Sequence, residues 1–138
     1  MVIESTEYCG LSNLLPGLRP DFAPLARSVV YSGCINTYSH IHEIGHTMGL
    51  QHDRGNAVAL TDFSYGFGFR YCGPTNAFRS IMAYPCDSST RVPLFSSPNV
   101  TYHRTATGNA QNNNVRVLQQ THVVVANFMS GPGSGPRH

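Results

Sequence analysis

The sequence contains no lysine, and its charged residues are few. The nine basic residues are all arginines, spread from Arg19 to Arg137 without forming a block, and the formal net charge is +2. Charged residues make up 12% of the chain, against about 25% in typical globular proteins. A weak and dispersed positive charge does not form the basic patch that nucleic-acid binding requires. We therefore expect no nucleic-acid partner.

Long apolar runs are also missing. No stretch approaches the roughly 20 consecutive apolar residues of a membrane-spanning helix. Glu4 directly follows the apolar pair Val2-Ile3, so the sequence shows no signal-peptide core. We expect no membrane span, and any targeting segment is expected to lie outside this chain. The 138 residues, 41% of them hydrophobic, suffice for one domain with a core.

The sequence has no C-x-x-C pair, which excludes the usual cysteine-based zinc and redox motifs. It has four cysteines, and these allow three pairings: Cys9, Cys34, Cys72 and Cys86. An even number of cysteines in a loop-rich chain favours disulfides and an oxidising, extracellular compartment. We expect the disulfides Cys9–Cys34 and Cys72–Cys86, with free thiols as the alternative.

Short extended segments open the chain. Candidate strands lie at Val2-Ile3, at residues 9–15 and at residues 26–31, of which the last is β-branched and bounded by turn residues. Residues 53–80 and 85–114 are rich in loop-forming residues and are predicted to be irregular.

Two helices are predicted from periodicity. Asn36 is a candidate N-cap for a helix over residues 37–48, which Gly49 would end at its C′ position. The apolar face of this helix would contain Ile41, Ile44, Gly45 and Met48. A second helix is expected over residues 112–129, although Val123–Val125 would also suit a strand. Its shared face would contain Val115, Leu118, His122, Val125 and Met129. Residues 131–138 are predicted to form a flexible tail.

The most informative stretch is residues 42–53, which follow the pattern H-E-x-x-H-x-x-G-x-x-H-D. His42 and His46, four residues apart on a helix, point the same way and can bind one tetrahedral metal. Gly49 can adopt a positive φ, so the chain can turn and bring His52 to the same ion. Three neutral imidazoles leave one position open for water, as in a catalytic zinc site. The pattern therefore predicts one catalytic Zn²⁺, against the alternative of ordinary core or surface histidines.

Glu43 lies between the first two predicted ligands in sequence. It cannot easily bind the same ion, but it can reach a water bound there. Zinc lowers the pKa of such a water to about 7, and a carboxylate base completes its activation. We expect Glu43 to be the general base of a hydrolytic reaction whose natural substrate is the peptide bond.

This run resembles the zinc motif of the metzincin metalloproteases. Residues 80–84, S-I-M-A-Y, are similar to the family's Met-turn, which implies that Met82 forms an apolar floor under the imidazoles. Asp53 is similar to the aspartate of the adamalysin/reprolysin branch, which implies a buried structural residue. Tyr84 resembles the tyrosine of the astacin and serralysin branches, which binds zinc or stabilises the tetrahedral intermediate; a packing aromatic is the alternative.

Residues 95–100 and 125–128 add to this resemblance. Together with the zinc motif, they make the chain most similar to reprolysin-like peptidases of the microbial peptidyl-Asp metalloendopeptidase kind. The resemblance implies an α+β fold: a truncated metzincin with a small mixed sheet of about three strands, an active-site helix, and an irregular lower subdomain with a Met-turn and a C-terminal helix. The catalytic domain would span residues 1–130, with an N-terminally truncated upper subdomain over residues 1–50 and a lower one over residues 51–130.

The resemblance also implies how substrate binds. Gly10, Leu11 and Ser12 are similar to the edge strand that pairs with an extended substrate, and residues 86–110 would wall the S1′ pocket. If the substrate is acidic there, Arg91 or Arg104 could supply the countercharge. The leading hypothesis is a secreted, monomeric zinc endopeptidase acting on proteins or peptides. The alternatives are a truncated homologue that binds zinc but is catalytically impaired, and a non-enzymatic peptide-binding module.

Overall fold

The computed structural model describes residues 2–3 and 8–129, so the predicted tail at 131–138 lies outside the described residues. The two α-helices are α1 (Ser39–Thr47) and α2 (Asn114–Ala126). The strands of three or four residues are β2 (Gly10–Ser12), β3 (Ser28–Tyr31) and β4 (Gln51–Asp53). The two-residue strands are β1 (Val2–Ile3), β5 (Phe67–Gly68), β6 (Arg70–Tyr71), β7 (Phe78–Arg79), β8 (Thr90–Arg91), β9 (Thr101–Tyr102) and β10 (Thr105–Ala106). Two 3-10 helices cover Pro20–Leu25 and Ser32–Thr37.

The three N-terminal strands form one mixed sheet in the order β1-β3-β2, as predicted. The central strand β3 pairs in parallel with β1, with Val2 opposite Val30, and antiparallel with β2, with Leu11 opposite Val29. The disulfide Cys9–Cys34 links the start of β2 to the turn after β3. Strand β2 therefore lies at an outer edge of this sheet, and α1 packs against both β2 and β3.

Helix α1 begins later than predicted, and the expectation that Asn36 caps it is wrong. Residues Ser32–Thr37 form a 3-10 helix, and Tyr38, with φ 62°, separates it from α1. A residue in the left-handed region cannot continue a right-handed helix, so the α-helix starts only at Ser39. Its predicted end is confirmed. Gly49 has φ 90° and donates its N–H to the carbonyl of His46 over 2.9 Å, as in a Schellman motif.

The predicted apolar face of α1 is confirmed only in part. Gly45 is buried and Ile41 packs against the hydrophobic core. Ile44 on the same face is 48% exposed, whereas His42 and Glu43 are each 6% exposed. The polar side of the helix faces inward because His42 bonds through Nδ1 to the Ile81 carbonyl, 2.9 Å away, in the C-terminal part of the chain. Hydrogen-bonded polar groups can occupy the interior, and here they determine which face is buried.

The two regions predicted to be irregular contain short sheets. Strand β4 pairs in parallel with β5, β6, β7 and β8 form a second sheet in that order, and β9 pairs with β10. These strands escaped prediction because two residues are too few to establish an alternating pattern. The predicted disulfide Cys72–Cys86 is present beside the β6–β8 sheet.

A hydrophobic core packs against α1. Its buried members are Leu50, Phe63, Ile81, Met82 and Val117. Helix α2 contributes Val117 from within the predicted range, and Asn113 caps it by accepting a hydrogen bond from the Arg116 N–H over 3.0 Å. In the described part of the chain, neither helix is long and apolar enough to cross a membrane.

The predicted shared face of α2 is also confirmed only in part. Leu118 packs against the hydrophobic core. The fully buried residues of the helix are Asn114, Val117 and Thr121, however, and Met129 is 93% exposed. The Asn114 side-chain amide donates to the Gly66 carbonyl over 2.8 Å, and its backbone N–H donates to Ser96 Oγ over 2.9 Å. These polar contacts fix the helix rotation, so apolar periodicity alone pointed to a neighbouring face.

Candidate metal centre

Three histidine side chains converge between α1 and β4. The Nε2 atoms of His42, His46 and His52 lie 3.0 to 3.2 Å from one another. A tetrahedral zinc ion with bonds of about 2.0–2.1 Å separates its ligand nitrogens by about 3.3 Å. The turn at Gly49 brings the third ring to the first two, as the spacing predicted. The three nitrogens therefore fit one zinc ion.

Backbone carbonyls hold the far side of each imidazole. Nδ1 of His42 lies 2.9 Å from the Ile81 oxygen, and Nδ1 of His46 lies 2.8 Å from the Leu50 oxygen. Nδ1 of His52 lies 3.2 Å from the oxygen of Asn56. A carbonyl oxygen only accepts hydrogen bonds, so each Nδ1 carries the proton and each Nε2 presents a lone pair to the common centre. This is the tautomer that binds a metal.

Burial keeps these rings neutral. Desolvation lowers the pKa of His42 to about 3 and that of His46 to about 4. Desolvation also lowers the pKa of His52, against the opposing effect of its hydrogen bond to the Asn56 carbonyl. Neutral imidazole is the form that coordinates zinc, so the donor set suits the ion near neutral pH.

Glu43 lies beside the histidines and is fixed by the N-terminal sheet. Ser12 on β2 donates its hydroxyl to Glu43 Oε2 over 2.5 Å. Burial raises the pKa of Glu43, while the Ser12 hydrogen bond and the charge of Arg91 lower it. The carboxylate is therefore held between an apolar environment that favours its protonated form and two contacts that favour its charge.

One cleft contains most of the predicted site residues. It is lined by the three histidines, Glu43 and Tyr84, together with the predicted substrate-binding residues Gly10, Leu11 and Ser12. The Tyr84 ring lies 4.5 Å from the His52 ring, centroid to centroid. This contact agrees with a packing aromatic, while the position on the cleft leaves Tyr84 available to substrate.

Met82 packs against α1, the helix that carries His42 and His46. Ile81 and Met82 form a turn closed by a hydrogen bond from the Ala83 N–H to the Ser80 oxygen, 3.1 Å long. Met82 is fully buried against α1, so close that a Cβ added at Gly45 would lie 2.6 Å from its sulfur. A larger residue at position 45 would push the helix carrying two of the histidines away from this turn.

Asp53 is buried and ties β4 to the segment that carries Tyr84. Its carboxylate accepts the Tyr84 N–H over 3.0 Å and the Asn56 side-chain amide over 3.0 Å. Arg70 lies 3.5 Å from the same carboxylate. Asp53 thus fixes the position of Asn56, whose carbonyl orients His52, and of Tyr84, whose ring lies beside His52.

Sequence reasoning missed the groups that support the site. The carbonyls of Leu50, Asn56 and Ile81 orient the imidazoles, but any residue offers a carbonyl, so no residue type marks them. The apolar segment 57–59, which lines the cleft beside Leu14 and Gln51, was also missed. The only available signal was a run of three apolar residues beginning four positions after the end of the zinc motif.

Comparison with known proteins places the chain among peptidases. A reprolysin-type family model, described as metallo-peptidase family M12, matches residues 4–96. A peptidyl-Asp metalloendopeptidase of Xanthomonas campestris pv. campestris is 36% identical over 130 residues, which cover 93% of this chain and 30% of the relative. One of Stenotrophomonas maltophilia strain K279a is 36% identical over 132 residues, covering 93% of this chain and 31% of the relative. The chain thus spans less than a third of the length of these relatives. No solved structure gives a significant match.

Proposed function

The chain belongs to metallopeptidase family M12, and from this premise we propose that it is a zinc-dependent endopeptidase that hydrolyses internal peptide bonds of proteins. The observation that carries the proposal is the convergence of three Nε2 atoms within 3.2 Å of one another on a cleft that also contains Glu43. Three neutral nitrogen ligands leave a position for water and substrate. A structural zinc site would instead have its fourth ligand supplied by the protein.

When bound, zinc supplies Lewis acidity, which acidifies water and polarises a carbonyl group. Glu43 then accepts the proton of the attacking water on its carboxylate and passes it to the nitrogen of the leaving amine. Burial raises the pKa of Glu43, which makes its carboxylate a stronger base. The Ser12 hydroxyl holds one carboxylate oxygen and so keeps the base in one orientation.

Substrate is proposed to bind along β2. This strand lies at the outer edge of the N-terminal sheet, and Gly10, Leu11 and Ser12 line the cleft. An outer strand has backbone N–H and C=O groups directed away from the sheet, and an extended peptide can pair with them. The pairing would set the peptide bond between the histidines and Glu43.

The remaining site residues are proposed to keep the two sides of the cleft in place. Residues 1–50 would form an upper subdomain and residues 51–130 a lower one. Met82 would act as the Met-turn methionine, supported by its burial against α1. Asp53 would act as the buried structural aspartate, supported by its bond from the Tyr84 N–H. Tyr84 is proposed to stabilise the transition state through its hydroxyl.

The relatives' names supply the substrate class. They are peptidyl-Asp metalloendopeptidases, and we extend to this chain a preference for peptide bonds at aspartate. The two disulfides support an oxidising location, so we propose that the protein acts outside the cell as a monomer.

A digest of casein by the zinc-loaded chain, with and without a chelator, tests the proposal. Cleavage should occur, stop on chelation and return with zinc. Glu43→Gln should abolish cleavage while zinc content stays near one ion per chain. Asp21→Asn, the same carboxylate-to-amide change on an exposed residue, is the matched control and should keep activity. Bound zinc with no cleavage by the unmodified chain would instead support a catalytically impaired homologue.

A further inference from the structure

Two arginines lie side by side near the metal centre. Arg79 on β7 and Arg91 on β8 are register partners in the parallel pairing of these strands. Register partners in a sheet project their side chains from the same face. Both residues are half-buried. Burial lowers the pKa of each, and the charge of Arg79 contributes to lowering that of Arg91 to about 10.

No carboxylate lies within 4.0 Å of either guanidinium among residues 2–3 and 8–129, where the ion pairs are Arg19–Asp21 and Arg70–Asp53. Their hydrogen bonds go to neutral carbonyls instead. Arg79 donates to the Ala83 oxygen over 2.9 Å, and Arg91 donates to the Thr37 oxygen over 2.9 Å. The Nε atom of each arginine is buried without a hydrogen-bond partner. Two partly desolvated positive charges next to each other are unfavourable unless an anion joins them.

Arg91 lies close enough to the metal centre to act on its side chains. Its positive charge acts to lower the pKa of His42, Glu43 and His52. Arg91 is anchored to Thr37, which precedes α1, and Arg79 is bonded to Ala83, the residue before the cleft residue Tyr84. The two arginines are therefore tied to segments that border the cleft, although neither is among its lining residues.

We propose that the Arg79–Arg91 pair binds the carboxylate of an acidic substrate residue next to the cleaved bond, with Arg91 making the direct contact. The inference rests on the proposed endopeptidase function and assigns its acidic preference to two residues. A guanidinium binds a carboxylate through paired N–H donors in a fixed plane. Arg79 raises the local positive potential and holds the Ala83 carbonyl beside Tyr84.

Arg104, the other arginine that the sequence suggested, does not share this environment. It is exposed and lies in the turn between β9 and β10 with φ 67°. Its charge is solvated, so a carboxylate gains little by binding there. Arg104 therefore serves as the matched control.

The test compares kcat/KM of the zinc-loaded full chain on two peptides that differ only in Asp or Asn next to the cleaved bond. The unmodified chain should prefer the Asp peptide. Arg91→Gln should lower kcat/KM for the Asp peptide by about tenfold or more, as expected for losing a hydrogen bond to a charged group. Because Arg91 also acts on Glu43, the readout is the ratio of kcat/KM for the Asp peptide to that for the Asn peptide, which should fall by about tenfold. Arg79→Gln should shift the ratio in the same direction, and Arg104→Gln should leave it unchanged.

The outcomes separate this inference from the proposed function. Cleavage of neither peptide by the unmodified chain would refute the peptidase proposal. Cleavage of both peptides without preference, or a preference that survives Arg91→Gln and Arg79→Gln, would overturn the arginine assignment alone. If Arg91→Gln does not fold, Arg91→Lys is used, because it keeps the charge but loses the paired donors. Its Asp-to-Asn ratio should fall several-fold, and an unchanged ratio would also overturn the assignment.

Discussion

Ser12 on the outer strand β2 donates its hydroxyl to Oε2 of Glu43 on α1, across 2.5 Å and 31 residues of sequence. The bond joins the strand proposed to bind substrate to the residue proposed to act as base. It also opposes the effect of burial on the Glu43 carboxylate. The position of the base therefore depends on the N-terminal sheet as well as on the helix that carries the zinc motif.

Ser12→Ala should weaken catalysis at acidic pH. The Ser12 hydrogen bond lowers the pKa of Glu43, so its loss raises that pKa and the base stays protonated to a higher pH. We expect the acidic limb of the kcat/KM profile to move to higher pH, with a loss of about fivefold on that limb for a bond worth about 1 kcal/mol. Ser12→Thr, which retains a hydroxyl, should restore the profile. Identical profiles for all three proteins would mean that this bond does not affect the base.

Gly10→Ala should disturb Glu43 directly. A Cβ at Gly10 would lie 2.6 Å from both Cγ and Oε1 of Glu43, a distance that side chains do not tolerate. We expect kcat/KM to fall by about tenfold or more, as when a catalytic group is displaced by about 1 Å, while zinc content is retained. Gly55→Ala is the control, because its nearest neighbour is the end of the Arg70 side chain at 3.2 Å. Normal activity of the Gly10 variant would show that the Glu43 side chain can move away from position 10 without loss of function.

The zinc-free protein should lose stability on acidification. Burial lowers the pKa of His42 from its ordinary 6.5 to about 3 and that of His46 to about 4. The unfolded chain therefore binds protons more readily than the folded chain below pH 6.5, and stability declines as the pH falls from there toward 4. Urea unfolding of the zinc-free chain should show a fall of a few kcal/mol across this range. His42→Asn should reduce the slope, and an unchanged slope would contradict buried neutral imidazoles.

Asp53→Ala should destabilise the protein and loosen the site. The change leaves the Tyr84 N–H, the Asn56 amide and the Arg70 guanidinium without their acceptor. We expect a loss of about 3 kcal/mol in the free energy of unfolding, typical of breaking a buried charge network, and weaker zinc binding. Asp21→Ala removes an exposed partner of Arg19 and should cost less than about 1 kcal/mol. An equal loss in the free energy of unfolding for the two variants would contradict a structural role for Asp53.

The zinc ligands were predictable because their geometry is local. His42 and His46 share a helix, and Gly49 turns the chain within three residues of His52, so spacing alone specifies how the rings meet. The two disulfides were expected from the even number of cysteines, whereas the three-stranded mixed sheet was expected from the resemblance to the metzincins.

The buried faces of the helices were only partly predictable, because polar contacts to distant residues also determine them. Asn114 on α2 is hydrogen-bonded to Gly66 and Ser96, and these bonds bury the side of α2 that carries Asn114. His42 on α1 is hydrogen-bonded to the Ile81 carbonyl, and this bond buries the polar side of α1. The 3-10 helix before α1 ends at Tyr38, which has a left-handed conformation. Tyrosine rarely adopts this conformation, so no sequence pattern indicated it there. The Arg79–Arg91 pair arises from strands of two residues each, too short to leave a pattern.

X-ray absorption at the zinc K-edge of the purified chain shows whether the three histidines hold a zinc ion. We predict one zinc ion per chain, with three imidazole nitrogens at about 2.0–2.1 Å and one further light ligand. His46→Ala should remove bound zinc, whereas His122→Ala, a change on the exposed face of α2, should leave the spectrum unchanged. A spectrum with fewer than three imidazoles, with sulfur ligands, or unaltered in the His46 variant would contradict this prediction.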